Sequence, residues 1–136
     1  MTPAGITLLT VTAVHFGFQA TVTTLVYPAL ARVPTEQWAN AHQAHSRAIT
    51  PIVALVYGTL AITGGWALLS DPDLWTLIAL AAITITFLVT AIAAAPAHSR
   101  LGTRPETQQI RQLLQIDRIR TAAATLALAA AAVAVR

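Results

Sequence analysis

His42 and His45 stand three residues apart, and on a helix they fall on one stripe with Ile49, Ile52 and Val56. Trp38 lies one turn before His42. Much later in the chain, Leu113, Asp117, Arg120 and Ala124 form a second stripe of the same kind, from which Arg111 and Arg118 turn away. An acid and a base thus share a helix face with apolar residues. Histidines near a carboxylate exchange protons around neutral pH. A guanidinium beside them binds an anionic or enolate oxygen, and the rings of Tyr27 and Trp38 suit a flat apolar substrate. His98 adds a third imidazole, so His42, His45, His98, Asp117 and Arg120 are the candidate catalytic residues, with Tyr27 and Trp38 as candidate substrate contacts.

Other chemistry fits the same residues. His42, His45, His98 and Asp117 offer three nitrogens and one oxygen to a metal. The Glu-x-x-His pattern of di-iron bundles is missing from the sequence. Paired histidines on facing helices also suit a haem. The plain alternative is that His42 and His45 are interfacial polar residues, while Arg120 extends to lipid headgroups.

The elements that must carry these residues are apolar to an unusual degree. Of the 136 residues, 56% are hydrophobic and 10% charged, and the mean hydropathy is +0.66. Soluble domains carry about 25% charged residues, so the deficit points to a hydrocarbon environment. Four apolar stretches of similar weight rule out a lone signal peptide as the explanation. Cys is absent, which excludes disulfides, thiolate nucleophiles and cysteine metal sites. The formal net charge of +3 does not mark a nucleic-acid-binding protein, because the basic residues cluster between apolar segments as they do in cytoplasmic loops.

Spans are expected at about 6–27, 48–69, 74–95 and 119–135, each long enough for a hydrocarbon core of about 30 Å. The first contains no formally charged residue but includes several Thr, His15 and Gln19. Thr hydroxyls can bond back to their own helix, whereas His15 and Gln19 need a partner or a polar cavity. The expected partner of His15 is a Thr or a backbone carbonyl on a neighbouring helix. Pro28 and Pro34 bracket a short connection, and the second helix begins near Thr35, passes Pro51 and ends near Leu69. Ser70-Asp71-Pro72-Asp73 forms a tight turn between Trp66 and Trp75, which are placed as interfacial anchors. Pro96 is expected to end the third span, with a polar loop over 97–104. Pro105-Glu106 then starts a fourth helix that runs without a breaker into the Ala-rich stretch.

Arg32, Arg47, Arg100, Arg104, Arg111, Arg118 and Arg120 belong to one side of this arrangement, against Arg136 alone on the other. The bias predicts both termini outside, both long connections in the cytoplasm, and helices 2 and 4 extended into it. The reading is an all-α, integral membrane four-helix bundle, multi-pass in the plasma membrane. A polar cup would lie at its cytoplasmic mouth.

The layout resembles that of the small four-span membrane proteins grouped with fungal anthrone oxygenases. The likeness rests on Tyr27-Pro28 closing the first span, on Trp38 and His42 ahead of Ile49-Thr50-Pro51, and on Pro96-Ala97-His98-Ser99-Arg100-Leu101 after the third. It rests also on Asp117-Arg118-Ile119-Arg120-Thr121 introducing the fourth. His98, Arg120 and Thr121 match the family pattern, while Ser99, Asp117 and Arg118 depart from it. The resemblance implies oxidation of an anthrone-like aromatic substrate by molecular oxygen with no added cofactor. A histidine or Asp117 would remove a proton, and Arg120 would stabilise the enolate. Two other classes remain open: a non-catalytic subunit or assembly factor packing through Ala- and Gly-rich faces, and a small oligomeric transporter. The expected partners are the bilayer, a small hydrophobic molecule, and either further copies of the chain or another membrane protein.

Overall fold

The structure, a computed structural model, describes residues 2–102 and 107–136, with His98 described by its backbone only. Among the described residues every regular element is helical. The first helix, α1, spans Pro3–Leu30. The Thr2 hydroxyl caps it by accepting the Gly5 N–H at 3.1 Å, and Pro3 occupies the first turn, where no donor is needed. Helix α2 is Thr35–Leu68. Helix α3 covers 74–100, as Leu74–Val89, a wider turn at Thr90–Ala94 and a last segment Ala95–Arg100. Its cap is Asp73, whose carboxylate accepts the Thr76 N–H at 2.8 Å. Hydrogen bonding from the Thr76 side chain, and then from its N–H, holds the Asp73 carboxyl below the usual carboxylate range. Asp71, just before it, takes a left-handed φ of 52° to make the tight turn. Helix α4 is Thr107–Ala134, and the expected start at Pro105-Glu106 lies outside the described residues.

Helices α1, α2 and α3 are each long and apolar enough to cross a membrane. The last 18 residues of α4 within the helix include Asp117, Arg118 and Arg120, which interrupt an otherwise apolar run. Val14, Leu25, Leu55, Ile62, Leu69 and Ile92 are all more than half exposed. Apolar surface of this extent is costly in water and suits a lipid surround. The threonines on these outer faces are self-satisfied: Thr10, Thr21, Thr24, Thr59 and Thr84 each donate to the carbonyl four residues earlier.

Two helices run on past the points where the sequence suggests they stop. α1 continues through Pro28 to Leu30 instead of ending at Tyr27, and α3 continues through Pro96 to Arg100 in place of a loop from 97. The cause is the same in both. A five-residue π turn, Val22–Val26 in α1 and Thr90–Ala94 in α3, ends one residue before an X-Pro pair. Tyr27 N–H bonds the Val22 carbonyl and Ala95 N–H bonds the Thr90 carbonyl, five residues back in each case. The wider turn moves aside the carbonyls that the proline ring would strike in a regular helix, so the chain keeps its direction.

The helices pack as an up-and-down bundle. α4 lies most extensively against α3 and α1, α1 also packs on α2, and the seam between α2 and α3 is looser. Two apolar layers fill the interior. One joins Leu8, Leu60, Ala79, Ala82, Ile83, Ala127, Ala130 and Ala131 toward the end that holds both termini. The other joins Val22, Tyr27, Leu30, Trp38, Leu101 and Leu113 toward the other end. The alanines of α3 and α4 let these two helices approach closely, which is how small residues hold helices together in lipid.

Candidate functional site

Between the two apolar layers lies a layer of polar side chains, and Asp117 is at its centre. Asp117 is completely buried and Arg120 is 4% exposed. Leu113 and Ala124 are buried with them while Arg111 and Arg118 are exposed, as the helical spacing requires. Gln19 Nε2 donates to Asp117 Oδ1 at 2.6 Å, and the Thr23 hydroxyl donates to Asp117 Oδ2. Arg120 Nη1 donates to Asp117 Oδ1 at 3.3 Å. The Thr121 hydroxyl lies 2.6 Å from that of Thr23 and bonds the Asp117 carbonyl at 3.0 Å. α1 and α4 are thus joined by a carboxylate whose acceptor sites are filled from both helices. The π turn begins at Val22 on the same stretch of α1 that presents Thr23, an example of how such turns re-aim side chains at sites.

Arg120 is held from a second direction. Its Nη2 donates to the Tyr57 hydroxyl at 3.0 Å. That hydroxyl lies 2.9 Å from Thr90 Oγ1, which donates its own hydrogen to the Thr86 carbonyl at 2.7 Å. Tyr57 therefore accepts from Arg120 and donates to Thr90. One chain of polar contacts runs from α1 through α4 and α2 to α3, and the second π turn begins at Thr90. Among the described residues Arg120 Nε has no hydrogen-bond partner, and the Tyr27 phenol also acts on the guanidinium.

A cavity of about 180 Å³ opens beside this arrangement. Its walls are Phe18, Val22, Ile49, Val53 and Ala94, and its polar groups come from Tyr27, His45, Thr90 and Arg120. Thr50 and Ala95, at its edge, are exposed, so the cavity opens sideways between α2 and α3, where the two helices are least closely packed. His45 is half-buried, with its ring 6.3 Å from that of Tyr27 and edge-on to it. The arrangement combines a fixed cation, an imidazole and a phenol around a largely apolar space.

The candidate residues whose side chains are described do not all share one cup. Tyr27, His45 and Arg120 line the cavity, with Asp117 behind Arg120 as its anchor. His42 is stacked on Trp38, ring centres 5.6 Å apart and planes within 22°. Trp38 is 1% exposed and donates from its indole to the Leu101 carbonyl at 2.7 Å. It ties the start of α2 to the chain just after α3. His98 sits in the last segment of α3, and its side chain lies outside the described residues. Among the described residues no three His, Asp or Glu side chains gather as a metal-binding group. The stripe of α2 also differs from the simple spacing argument: Ile52 is 49% exposed, while Val53 and Tyr57 turn inward.

His15 and Gln19 meet the need for protein surroundings in different ways. Gln19 finds Asp117, but neither nitrogen of His15 hydrogen-bonds to the protein among the described residues. The expected Thr or carbonyl partner is replaced by a ring contact: His15 stands edge-on to Tyr57, centroids 5.4 Å apart. Tyr57 itself is not among the candidate residues drawn from the sequence. One signal for it was available, since a tyrosine well inside a span must find a partner for its hydroxyl there. No family model, characterised protein or solved structure matches the chain.

Proposed function

We propose that the chain is a membrane enzyme that acts on a small hydrophobic, enolisable aromatic substrate of the anthrone kind, using molecular oxygen and no added cofactor. One observation carries the reading: Arg120 is buried, gripped by Asp117 and Tyr57, and lines an apolar cavity together with His45. A buried cation held from two sides and facing a cavity is pre-organised for a developing oxyanion. His45 is the imidazole on the cavity wall and takes the role of base. It removes the acidic C–H proton of the substrate, and Arg120 stabilises the enolate oxygen that results. The electron-rich enolate is then oxidised by dioxygen, which ends as water when the product is the quinone. Asp117 positions Arg120 and does not act as the base, since Gln19, Thr23 and Arg120 already donate to its oxygens.

The polar site lies at the end of the bundle where the arginines concentrate. We place that end in the cytoplasm and both termini outside, in the plasma membrane, with α4 as the fourth crossing. Two further observations favour an enzyme over the other classes. Ala123, Ala124, Ala127, Ala130 and Ala131 of α4 are buried within the bundle, so most of that small-residue face is already used inside one chain, while Ala122 and Ala129 stay outward. Beyond His15 the buried polar side chains are Thr12, Thr63 and Thr76, set among Leu8, Leu60, Ile83 and the alanines of α3 and α4, so no buried titratable group among the described residues continues a transporter's path toward Asp71.

The test is dioxygen uptake and quinone absorbance with anthrone, using protein in lipid nanodiscs and the spontaneous rate as baseline. Catalysis above baseline that is lost in His45→Gln supports the reading. A rate equal to baseline for anthrone and for simpler phenols alike overturns it.

A further inference from the structure

The cavity beside Arg120 is small for a complete ligand. Its volume of about 180 Å³ falls below the roughly 300–1,000 Å³ of most small-molecule sites. The seam on which it opens continues, however. Farther along α2 and α3, a second space of about 260 Å³ is walled by Leu60, Gly64, Leu68, Leu80, Ile83 and Phe87. The two spaces lie on the same pair of helices. Between them stands one aromatic pair, Tyr57 and Phe87, ring centres 4.9 Å apart and edge to face. Among the described residues, none that lines the far space is charged. Gly64 and Gly65 give it depth: a Cβ at Gly64 would come within 3.2 Å of Leu80, and at Gly65 the adjoining space is open.

We propose that the ligand of the Arg120 site is an amphiphile. Its oxygen-bearing head lies against Arg120 and His45, and a hydrocarbon chain passes the Tyr57–Phe87 pair to lie in the groove between α2 and α3. This rests on the reading of the Arg120 cavity as a substrate site, and it narrows the substrate class to enolisable aromatic heads that carry a hydrocarbon chain. The Arg120 guanidinium, on a side chain 4% exposed and lining the cavity, marks the head end. From Val53 to Gly65 the seam extends about 18 Å at 1.5 Å per residue, a path suited to an extended chain. Both spaces belong to helices long and apolar enough to cross a membrane, so the chain leaves the surrounding lipid without crossing water. Lipid tails are as apolar as the groove. The groove therefore selects by shape and direction, and adds little by transfer from water.

The experiment is photolabelling of the nanodisc-embedded protein by palmitate bearing a diazirine near its tail end, with unlabelled palmitate as competitor and peptide mapping as readout. The expected result is saturable labelling on residues 60–68 and 77–87. In Gly65→Leu and Ala61→Trp this labelling should fall to the level seen at the outward-facing Leu25 and Leu55. Both substitutions fall at exposed helical positions and leave the buried packing intact. Labelling that persists unchanged in both variants, or spreads evenly over outward positions, overturns the tail groove. The paired variant Asp117→Asn with Arg120→Gln, which removes both buried charges together, separates the two ideas. Groove labelling that is indifferent to this pair overturns the substrate-site reading and the claim that head and tail belong to one ligand. Competition that depends on Arg120 but produces no label in the groove overturns the tail alone.

Discussion

Arg120 Nη2 reaches the Tyr57 hydroxyl at 3.0 Å from a position 63 residues away in sequence. The contact fixes the guanidinium from the side of α2 and α3, while Asp117 fixes it from α1 and α4. The cation is thus oriented by the closed bundle as a whole and not by its own helix. Its sensitivity to substitution follows from that, as does the role we propose for it.

Removing one member of the buried pair should be far worse than removing both. Asp117→Ala leaves Arg120 charged and without its carboxylate, a change that costs about 3–5 kcal/mol at buried pairs. The double variant Asp117→Asn with Arg120→Gln should regain a large part of that loss. Thermal unfolding in detergent, followed by circular dichroism, checks the order of the two.

Tyr57→Phe removes one hydroxyl and retains the ring that packs against His15 and Phe87. Hydrogen bonds to charged groups contribute about 1.5–3 kcal/mol, so stability should fall within that range. Turnover should fall further, because Arg120 then rotates about its remaining contact with Asp117. Comparing the unfolding midpoint with the rate of dioxygen uptake distinguishes the two effects.

His45→Gln should lower turnover by about 10²–10⁴, the usual contribution of a general base, with little change in stability at a half-buried position. His42→Gln should do the reverse. Its ring is packed on Trp38 and does not line the cavity, so the loss should appear in the unfolding midpoint and not in the rate.

Asp73 supplies a pH dependence remote from the site. Its carboxyl is held below the ordinary value by hydrogen bonding from Thr76. A depressed folded-state pKa contributes stability that is fully present above the unfolded value of about 3.9 and is lost as pH falls through the folded value. The unfolding midpoint of the wild type should therefore drop on acidification below about pH 4. Asp73→Asn, which still caps α3 but does not titrate, should lack that part of the drop.

Local chemistry determined much of this molecule directly from the order of its residues. Runs of apolar side chains long enough for a bilayer have no stable alternative to helices, because only a helix satisfies its backbone within one segment. The tight turn at Ser70–Asp73 follows from its turn-forming residues, and the inward stripe of Leu113, Asp117, Arg120 and Ala124 from helical spacing. The need of Gln19 for a polar partner was equally plain, since an amide has no place in hydrocarbon. What spacing could not decide was which stripe meets which. The two π turns shift the register of α1 and α3 ahead of Pro28 and Pro96, and such a shift depends on packing against neighbours as much as on the proline. It sets where Thr23, Tyr27 and Thr90 point. The exclusion of His42 from the cavity, the arrival of Tyr57 beside Arg120 and the open seam between α2 and α3 depend likewise on contacts between helices distant in the chain. Periodicity assigns a residue to a face, and only the closed bundle assigns that face its partner.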